Sequence, residues 1–294
     1  MLAVQKRKAF RRLLRLHQPL ILIGIHDTLS AKLVERKGWK ALWSSSFGFS
    51  AVSGFADANL LTFSENLETI VKINHQTRLP LIADCDNGYG DLIIFNRVVR
   101  EFEEAGVTGI CIEDNIFPKR NSFYNKDTRH ELVSIQEHVA KIKLAVHVRK
   151  DKNFFIIART EALTAQRGMK EALKRAEAYA KAGADAICIQ SKKENASELI
   201  TFASRWRYSI PLVAIPTTYY STSPQSLYKA GYKIIIFANQ LLRASVQSIK
   251  SVLTSMRNES ERFKAFKYEI ATLEEIFDVT GVDEMKKIEK KFSK

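Results

Sequence analysis

The sequence predicts a closed (β/α)₈ barrel, and three observations carry that reading. Eight short apolar runs alternate with helical patterns along the 294 residues. The runs are continuous instead of alternating in polarity, as parallel strands covered on both faces require. No GxGxxG follows any of them, so an open sheet built around a dinucleotide has no support, whereas eight β/α units in this length fit a closed barrel.

In chain order the expected strands are Leu20–Ile25, Ala41–Ser44, Leu79–Asp84, Gly109–Glu113, Phe154–Arg159, Ala186–Gln190, Leu212–Ile215 and Lys233–Ala238. Helical patterns lie between them. Asp27 or Ser30 can cap a helix that runs through Arg36 and stops at Gly38. Arg97–Ala105 ends at Gly106, and Glu171–Ala182 (EALKRAEAYAKA) consists of strong helix formers with Gly183 just past its end. The joints EAGVTGICI, KAGADAICI and KAGYKIIIF repeat one device, in which a helix closes on Ala-Gly and the chain turns back into a buried strand. Two segments flank the units of this single-domain barrel: a basic stretch at 1–17, and a C-terminal extension at 251–294. The extension carries an amphipathic pattern (Leu273, Ile276, Phe277, Val282, Met285, Ile288), which predicts helix packed on the barrel or on a neighbouring subunit.

The composition, 46% hydrophobic and 27% charged, is that of a globular chain with a sizeable core. No apolar run reaches the roughly 18–20 residues of a membrane helix, and basic residues from Lys6 to Arg15 interrupt any leader-like stretch. Cys85, Cys111 and Cys188 each lie inside a strand-like run without CxxC spacing, which fits structural thiols in a reducing cytoplasm. The net charge of +14 is spread along the chain apart from Lys6–Arg15 and Lys286–Lys294. Neither cluster is interleaved with aromatics, which argues against specific nucleic-acid binding and for a charge that draws in small anionic substrates or merely keeps the protein soluble.

In such a barrel the chemistry sits at the C-terminal strand ends, and polar residues crowd there. Trp43 to Ser46 close the second strand, Asp84 and Asp86 the third, Glu113 and Asp114 the fourth, Arg159 and Glu161 the fifth, Gln190 and Ser191 the sixth, and Asn239 the eighth. In Asp84-Cys85-Asp86-Asn87-Gly88-Tyr89-Gly90 one carboxylate can hold a hard cation directly while the other reaches it through water, with Glu113 as a third on the next strand. Mg²⁺ suits such a set, because it keeps several waters and shares substrate oxygens. DxDxGxG can also be a plain turn. Residues 115–129 make a long, polar, basic connection that fits a lid over an anionic substrate, or else a surface insertion. Residues 44–53, rich in Ser and Gly, either offer N–H groups to an oxyanion or form an ordinary turn. The histidines show no HExxH or HxH. His26 can line the pocket, while His75, His130, His138 and His147 read as exposed.

HDTLSAKLVERKGW, LWSSSFGFSA, DCDNGYG, IEDNIFPKRNS, FFIIARTEAL, EALKRAEAYAKAGADAICIQSKK and FANQLLRAS stand in this order. With them the chain resembles the isocitrate lyase/phosphoenolpyruvate mutase superfamily over about residues 18–280, and within it the phosphoenolpyruvate mutases (phosphomutases) most closely. The resemblance implies a Mg²⁺-dependent barrel acting on a small α-keto acid, as a homodimer or homotetramer that exchanges a C-terminal helix. It implies Asp84 as the main metal ligand, with Asp86 and Glu113 acting through water. Trp43 and Ser45, with the backbone of Ser46 and Phe47, would hold the pyruvyl oxygens. Asp57 would lie close to the reacting carbon and phosphorus, Arg159 and Asn121 would hold the phosphoryl group, and Lys119 and Ser122 belong to the lid motif. Carbon–carbon lyases of the superfamily resemble one another in a KKCGH lid, which Phe117-Pro118-Lys119-Arg120-Asn121-Ser122 does not match. Phosphonopyruvate hydrolases are similar to the mutases but tend to lack the lid asparagine. The chain departs from the pattern at Gln190, where the family has His, and at Asn115, where it has Lys. A glutamine there can donate a hydrogen bond but cannot become a cation. The competing expectations are phosphonopyruvate hydrolysis, another α-keto-acid reaction, and a barrel without catalysis that serves as a binding protein.

Overall fold

The structure is a computed structural model that describes residues 2–124, 131–257 and 270–293. The chain divides into two compact units, residues 1–239 and 240–294.

The first unit contains the eight expected strands: β1 (Leu20–Ile25), β2 (Leu42–Ser44), β3 (Leu81–Asp84), β4 (Gly109–Glu113), β5 (Phe155–Thr160), β6 (Ala186–Ile189), β7 (Leu212–Ala214) and β8 (Tyr232–Phe237). They pair in parallel in sequence order, and β8 closes on β1, where Leu20 faces Ile234 and Ile23 faces Phe237. The boundaries differ from the expected ones by one or two residues. Strand β3 begins at Leu81 because Pro80 has no N–H for a ladder; its carbonyl still accepts from Leu42 N at 2.8 Å.

The barrel interior is filled by Leu20, Leu22, Trp43, Ile82, Cys111, Phe155, Ile157, Cys188, Val213, Ile234 and Ile236. All three cysteines are free and buried, as their apolar settings predicted.

Around the sheet run α2 (Thr28–Arg36), α3 (Ser46–Val52), α4 (Phe63–Gln76), α5 (Leu92–Glu104), α6 (Ile135–Val148), α7 (Gly168–Lys181), α8 (Ser197–Arg205) and α9 (Pro224–Lys229). Helix α2 uses both expected capping residues: Asp27 accepts from Ser30 N at 2.6 Å, and the Ser30 hydroxyl accepts from Asp27 N at 3.2 Å. At the three repeated joints Gly106, Gly183 and Gly231 take φ of 81°, 103° and 112°, a left-handed turn that a side chain would strain.

The basic N-terminal stretch is a helix, α1 (Leu2–Leu14), placed across the N-terminal mouth of the barrel. Phe10 is fully buried, its ring 5.1 Å from that of Phe155. Charge does not keep this helix outside, because backbone carbonyls receive its cations. Lys6 Nζ donates to Asn74 O at 2.8 Å, Arg7 Nε to Val107 O at 3.0 Å and Arg7 Nη2 to Glu103 O at 2.5 Å. Burial lowers the Lys6 ammonium to about 8, against the pull of Glu35.

One expectation fails: His138 is not exposed. It is fully buried on α6, its ring 4.5 Å from Tyr179. The face of α6 that turns inward carries His138, Ile142 and Ala145, and a histidine at that position is carried in with its apolar neighbours. His130 lies outside the described residues.

The second unit comprises α10 (Gln240–Arg257), α11 (Leu273–Thr280) and α12 (Val282–Phe292). Helix α11 is capped by Thr272 in a reciprocal pair with Glu275. Leu273, Phe277, Met285, Ile288 and Phe292 stand exposed. Of the expected C-terminal extension, residues 258–269 and 294 lie outside the described residues. No helix among the described residues is long and apolar enough to cross a membrane.

Candidate active site

At the C-terminal ends of the strands lies a cavity of about 70 Å³. Trp43, Ser45, Ser46, Phe47, Asp57, Asp84, Glu113, Lys119, Asn121, Ser122, Arg159 and Gln190 all line it. The structure therefore brings together the residues that the sequence singled out for the site except His26 and Asp86, and Asp86 reaches the lining through Lys119.

Residues 44–53 prove to be neither loop nor plain turn. Ser45 caps the seven-residue helix α3, its Oγ accepting from Gly48 N at 3.1 Å. The amides of Ser46 and Phe47 are the first two of that helix, so no intrahelical carbonyl is available to them.

Strand β3 ends on Asp84, whose Oδ2 accepts from Ser46 Oγ at 2.9 Å. The chain then turns sharply, with φ of 48° at Asp86, so the second carboxylate leaves the strand direction. Asp86 accepts from Lys119 Nζ and, at 3.1 Å, from Asn59 Nδ2. Burial raises its carboxyl to about 6, with Lys119 opposing and Asp84 reinforcing the shift. On β4, Glu113 is 3.3 Å from Arg159 Nη1 and accepts from Asn115 Nδ2 at 2.9 Å. Burial lifts Glu113 to about 7 against the guanidinium of Arg159. Asn115, the second departure from the family pattern, thus steadies a site carboxylate.

The connection after β4 folds down onto the cavity. Asn115 forms an antiparallel bridge with Leu132 at its base, and residues 125–129 of the expected lid lie outside the described residues. Lys119 Nζ lies 2.9 Å from Asp57 Oδ1 and donates to Ser46 Oγ at 3.2 Å as well as to Asp86. Burial works to lower this ammonium, but Asp86, Asp57 and Glu113 hold it well above its ordinary range. Asn121 Nδ2 donates to Asp57 Oδ2 at 2.6 Å, and Ser122 Oγ to Glu161 Oε2 at 2.7 Å. Lys119 and Ser122 each retain 5% exposure, so the described part of this connection is buried against the cavity at both residues.

Two contributors escaped the sequence reading. Asn59, at φ 54°, accepts from Lys119 N at 2.6 Å while it donates to Asp86, and so ties the lid to the acidic floor. Glu161 was visible as a strand-end residue, yet its role was not: it grips Arg159, Thr164 and Ser122 together. Behind it Asp114 accepts from Glu161 N at 2.8 Å, Tyr179 at 2.7 Å and Arg175 at 3.1 Å. His26 does not line the cavity.

Five carboxylates (Asp57, Asp84, Asp86, Glu113 and Glu161) surround two cations, Lys119 and Arg159, in this buried space. An excess of buried negative charge with hard oxygen donors suits a divalent cation. Among the described residues no group of three or more His, Cys, Asp or Glu is arranged to hold a metal ion by itself.

Known proteins share this arrangement of elements. A model of the family described as phosphoenolpyruvate phosphomutase matches residues 10–257. The phosphoenolpyruvate phosphomutase of Tetrahymena pyriformis is 39% identical over 268 residues, which cover 91% of this chain and 88% of that protein. The crystal structure of a phosphoenolpyruvate phosphomutase from Streptomyces platensis subsp. rosaceus superposes with a TM-score of 0.94 at 37% identity, over 98% of this chain and 99% of that one. A phosphonopyruvate hydrolase in complex with oxalate and Mg²⁺ superposes with a TM-score of 0.88 at 34% identity, over 98% of this chain and 99% of that one.

Proposed function

Because the chain belongs to the phosphoenolpyruvate phosphomutase family, we propose that it interconverts phosphoenolpyruvate and 3-phosphonopyruvate. In the forward direction the bond between phosphorus and the enol oxygen breaks. The phosphoryl group then bonds to C3 of the pyruvate enolate left behind. Nothing is added or lost, so the site must hold both fragments and keep water away between the two events.

The residues at the cavity can divide that work. Ser45 and the amides of Ser46 and Phe47 face the pyruvyl oxygens, with Trp43 as the apolar wall beneath them. N–H donors fixed in place before the reaction stabilise a developing oxyanion at little reorganisation cost. Asp84 would hold Mg²⁺, with Asp86 and Glu113 supporting it through water, and the bound ion would supply positive charge to the enolate oxygen. Arg159, Asn121 and Gln190 supply donors for the phosphoryl group, whose transfer is mainly a matter of position and charge. Gln190 is 2% exposed and donates without a charge of its own, so its hold on the phosphoryl group is independent of pH. Asp57 is held between Lys119 and Asn121, and in this reading it would lie beside the phosphoryl group as it passes from oxygen to carbon.

One observation carries this reading over hydrolysis: Asn121 closes on Asp57 at 2.6 Å, with Lys119 buried beside it. A lid sealed at that point keeps water from the mobile phosphoryl group. Hydrolysis of phosphonopyruvate is the second reading, favoured by the likeness to the hydrolase. Phosphorus NMR of the protein with phosphonopyruvate and Mg²⁺ separates the two. Phosphoenolpyruvate is the expected product, free phosphate would support the hydrolase, and an unchanged substrate would remove both.

The exposed apolar residues of α11 and α12 support assembly into a homodimer or homotetramer through the C-terminal helices. Three free buried thiols support a reducing, cytoplasmic setting.

A further inference from the structure

On the barrel face opposite the active site lies a second cavity, of about 360 Å³, open to solvent. Gln5, Lys8, Arg11, Arg12 and Arg15 of the N-terminal segment line it together with Asn153. The volume falls within the range of small-molecule sites. Four of its six lining residues are cations, and none is an acid.

The fold accounts for Lys6, Arg7 and Arg11 but not for Lys8, Arg12 and Arg15. Lys6 and Arg7 are consumed by buried carbonyls, as described above. Lys8, Arg12 and Arg15 are exposed and form no ion pair among the described residues. Arg11 is answered by Asp185, but Lys8 with Arg12 and Arg12 with Arg15 remain like-charge pairs at i,i+4 and i,i+3 spacing, and α1 itself carries no acid. Each such pair disfavours the helix. A helix that plugs the barrel needs only its buried face, so the charge on its other face is available to an external anion.

Arg11 gives the cavity a fixed floor. Its guanidinium lies 4.6 Å from the Phe155 ring centroid, and it is held by Asp185 at 2.8 Å and by Asn153 O at 3.3 Å. A guanidinium locked in this way loses little freedom when it meets an anion. Lys8, Arg12 and Arg15 then reach in from solvent as adjustable charges.

We propose that this cavity binds a polyphosphate chain, that of a nucleoside triphosphate or of inorganic triphosphate, at a site separate from the active site. Several cations around one pocket match several adjoining anionic groups, whereas a monoanion would leave most of the repulsion in place.

Titration calorimetry of the full chain in excess Mg²⁺ tests it, with inorganic triphosphate, ATP, adenosine and a single-stranded RNA oligonucleotide as probes. Triphosphate and ATP are expected to bind at one site that weakens as salt is raised, and adenosine not to bind. Equal affinity for the two would identify the phosphate chain alone as the ligand, and tighter ATP binding would add recognition of the nucleoside. R12E/R15E is expected to weaken both by roughly tenfold or more, at a melting temperature no lower than the parent's because both side chains are exposed and like-charge pairs are removed; Lys8→Gln provides a milder check. Saturating oxalate, which targets the active site, is expected not to compete. The proposal is overturned if no probe binds, if R12E/R15E binds triphosphate as tightly as the parent, if oxalate displaces it, or if RNA binds roughly tenfold tighter than triphosphate.

Discussion

Replacing Asn121 with alanine tests how the lid works. The side chain makes two contacts: Nδ2 donates to Asp57 Oδ2 at 2.6 Å, and Oδ1 accepts from Phe123 N at 2.9 Å. Phe123 is only half-buried, so water can replace the second bond and its loss counts for little. The first is a hydrogen bond to a carboxylate that is 3% exposed, and such bonds contribute about 1.5–3 kcal/mol. At about 1.4 kcal/mol per tenfold, the closed-to-open ratio of the lid falls roughly tenfold to a hundredfold. If only the closed state transfers the phosphoryl group and the open state comes to dominate in the variant, phosphonopyruvate turnover falls by up to the same factor. Water admitted by the open lid should divert part of the remaining flux to free phosphate. Phosphorus NMR at saturating Mg²⁺ reads both quantities in one sample. Asn121→Asp is the companion, since it keeps the shape, removes the donor and sets a carboxylate against Asp57; it should be at least as damaging. Turnover within about twofold of the parent in the alanine variant, with no phosphate released, would refute the role of the lid.

Two further predictions concern stability. Burial, aided by Lys141 and Arg175, lowers His138 to about 3, whereas it titrates near 6.5 when unfolded. Between those values the unfolded chain binds a proton that the folded one refuses. Stability is therefore complete above about 6.5 and is lost as pH falls toward 3, by about 2 kcal/mol at pH 5. His138→Phe should remove that share of the acid loss, and an unchanged difference between melts at pH 7.5 and pH 5 would count against it. Phe10→Ala should cost about 3–5 kcal/mol in urea unfolding, as for a large side chain deleted from a packed interior. A cost below about 1 kcal/mol would mean that α1 does not seal the barrel.

The barrel was legible because its signal is local: eight continuous apolar runs and three Ala-Gly joints specify buried strands and the turns into them. Much of the site was legible for the same reason, since Asp84, Glu113 and Arg159 are strand-end residues that the fold must bring together. What the sequence hid depends on partners far along the chain. Lys6 and Arg7 read as a solvated basic tail, because the carbonyls that receive them come from Asn74, Glu103 and Val107. His138 read as exposed because its pattern does not say which helix face Tyr179 covers. Asn59 drew no notice in the sequence, and only the fold shows it joining Lys119 to Asp86. Ser45 read as part of a Ser- and Gly-rich stretch that donates N–H groups or makes a turn, although Ser followed three residues later by a small Gly is compatible with a cap for a short helix.

The most direct test of the account is a crystal structure of the protein grown with Mg²⁺ and oxalate, a planar stand-in for the pyruvate enolate. The account predicts an ion about 2.0–2.1 Å from a carboxylate oxygen of Asp84, with oxalate shared between that ion and the amides of Ser46 and Phe47. An ion bound elsewhere, with Asp84 still engaged by the Ser46 hydroxyl and the Asp86 amide, would contradict it.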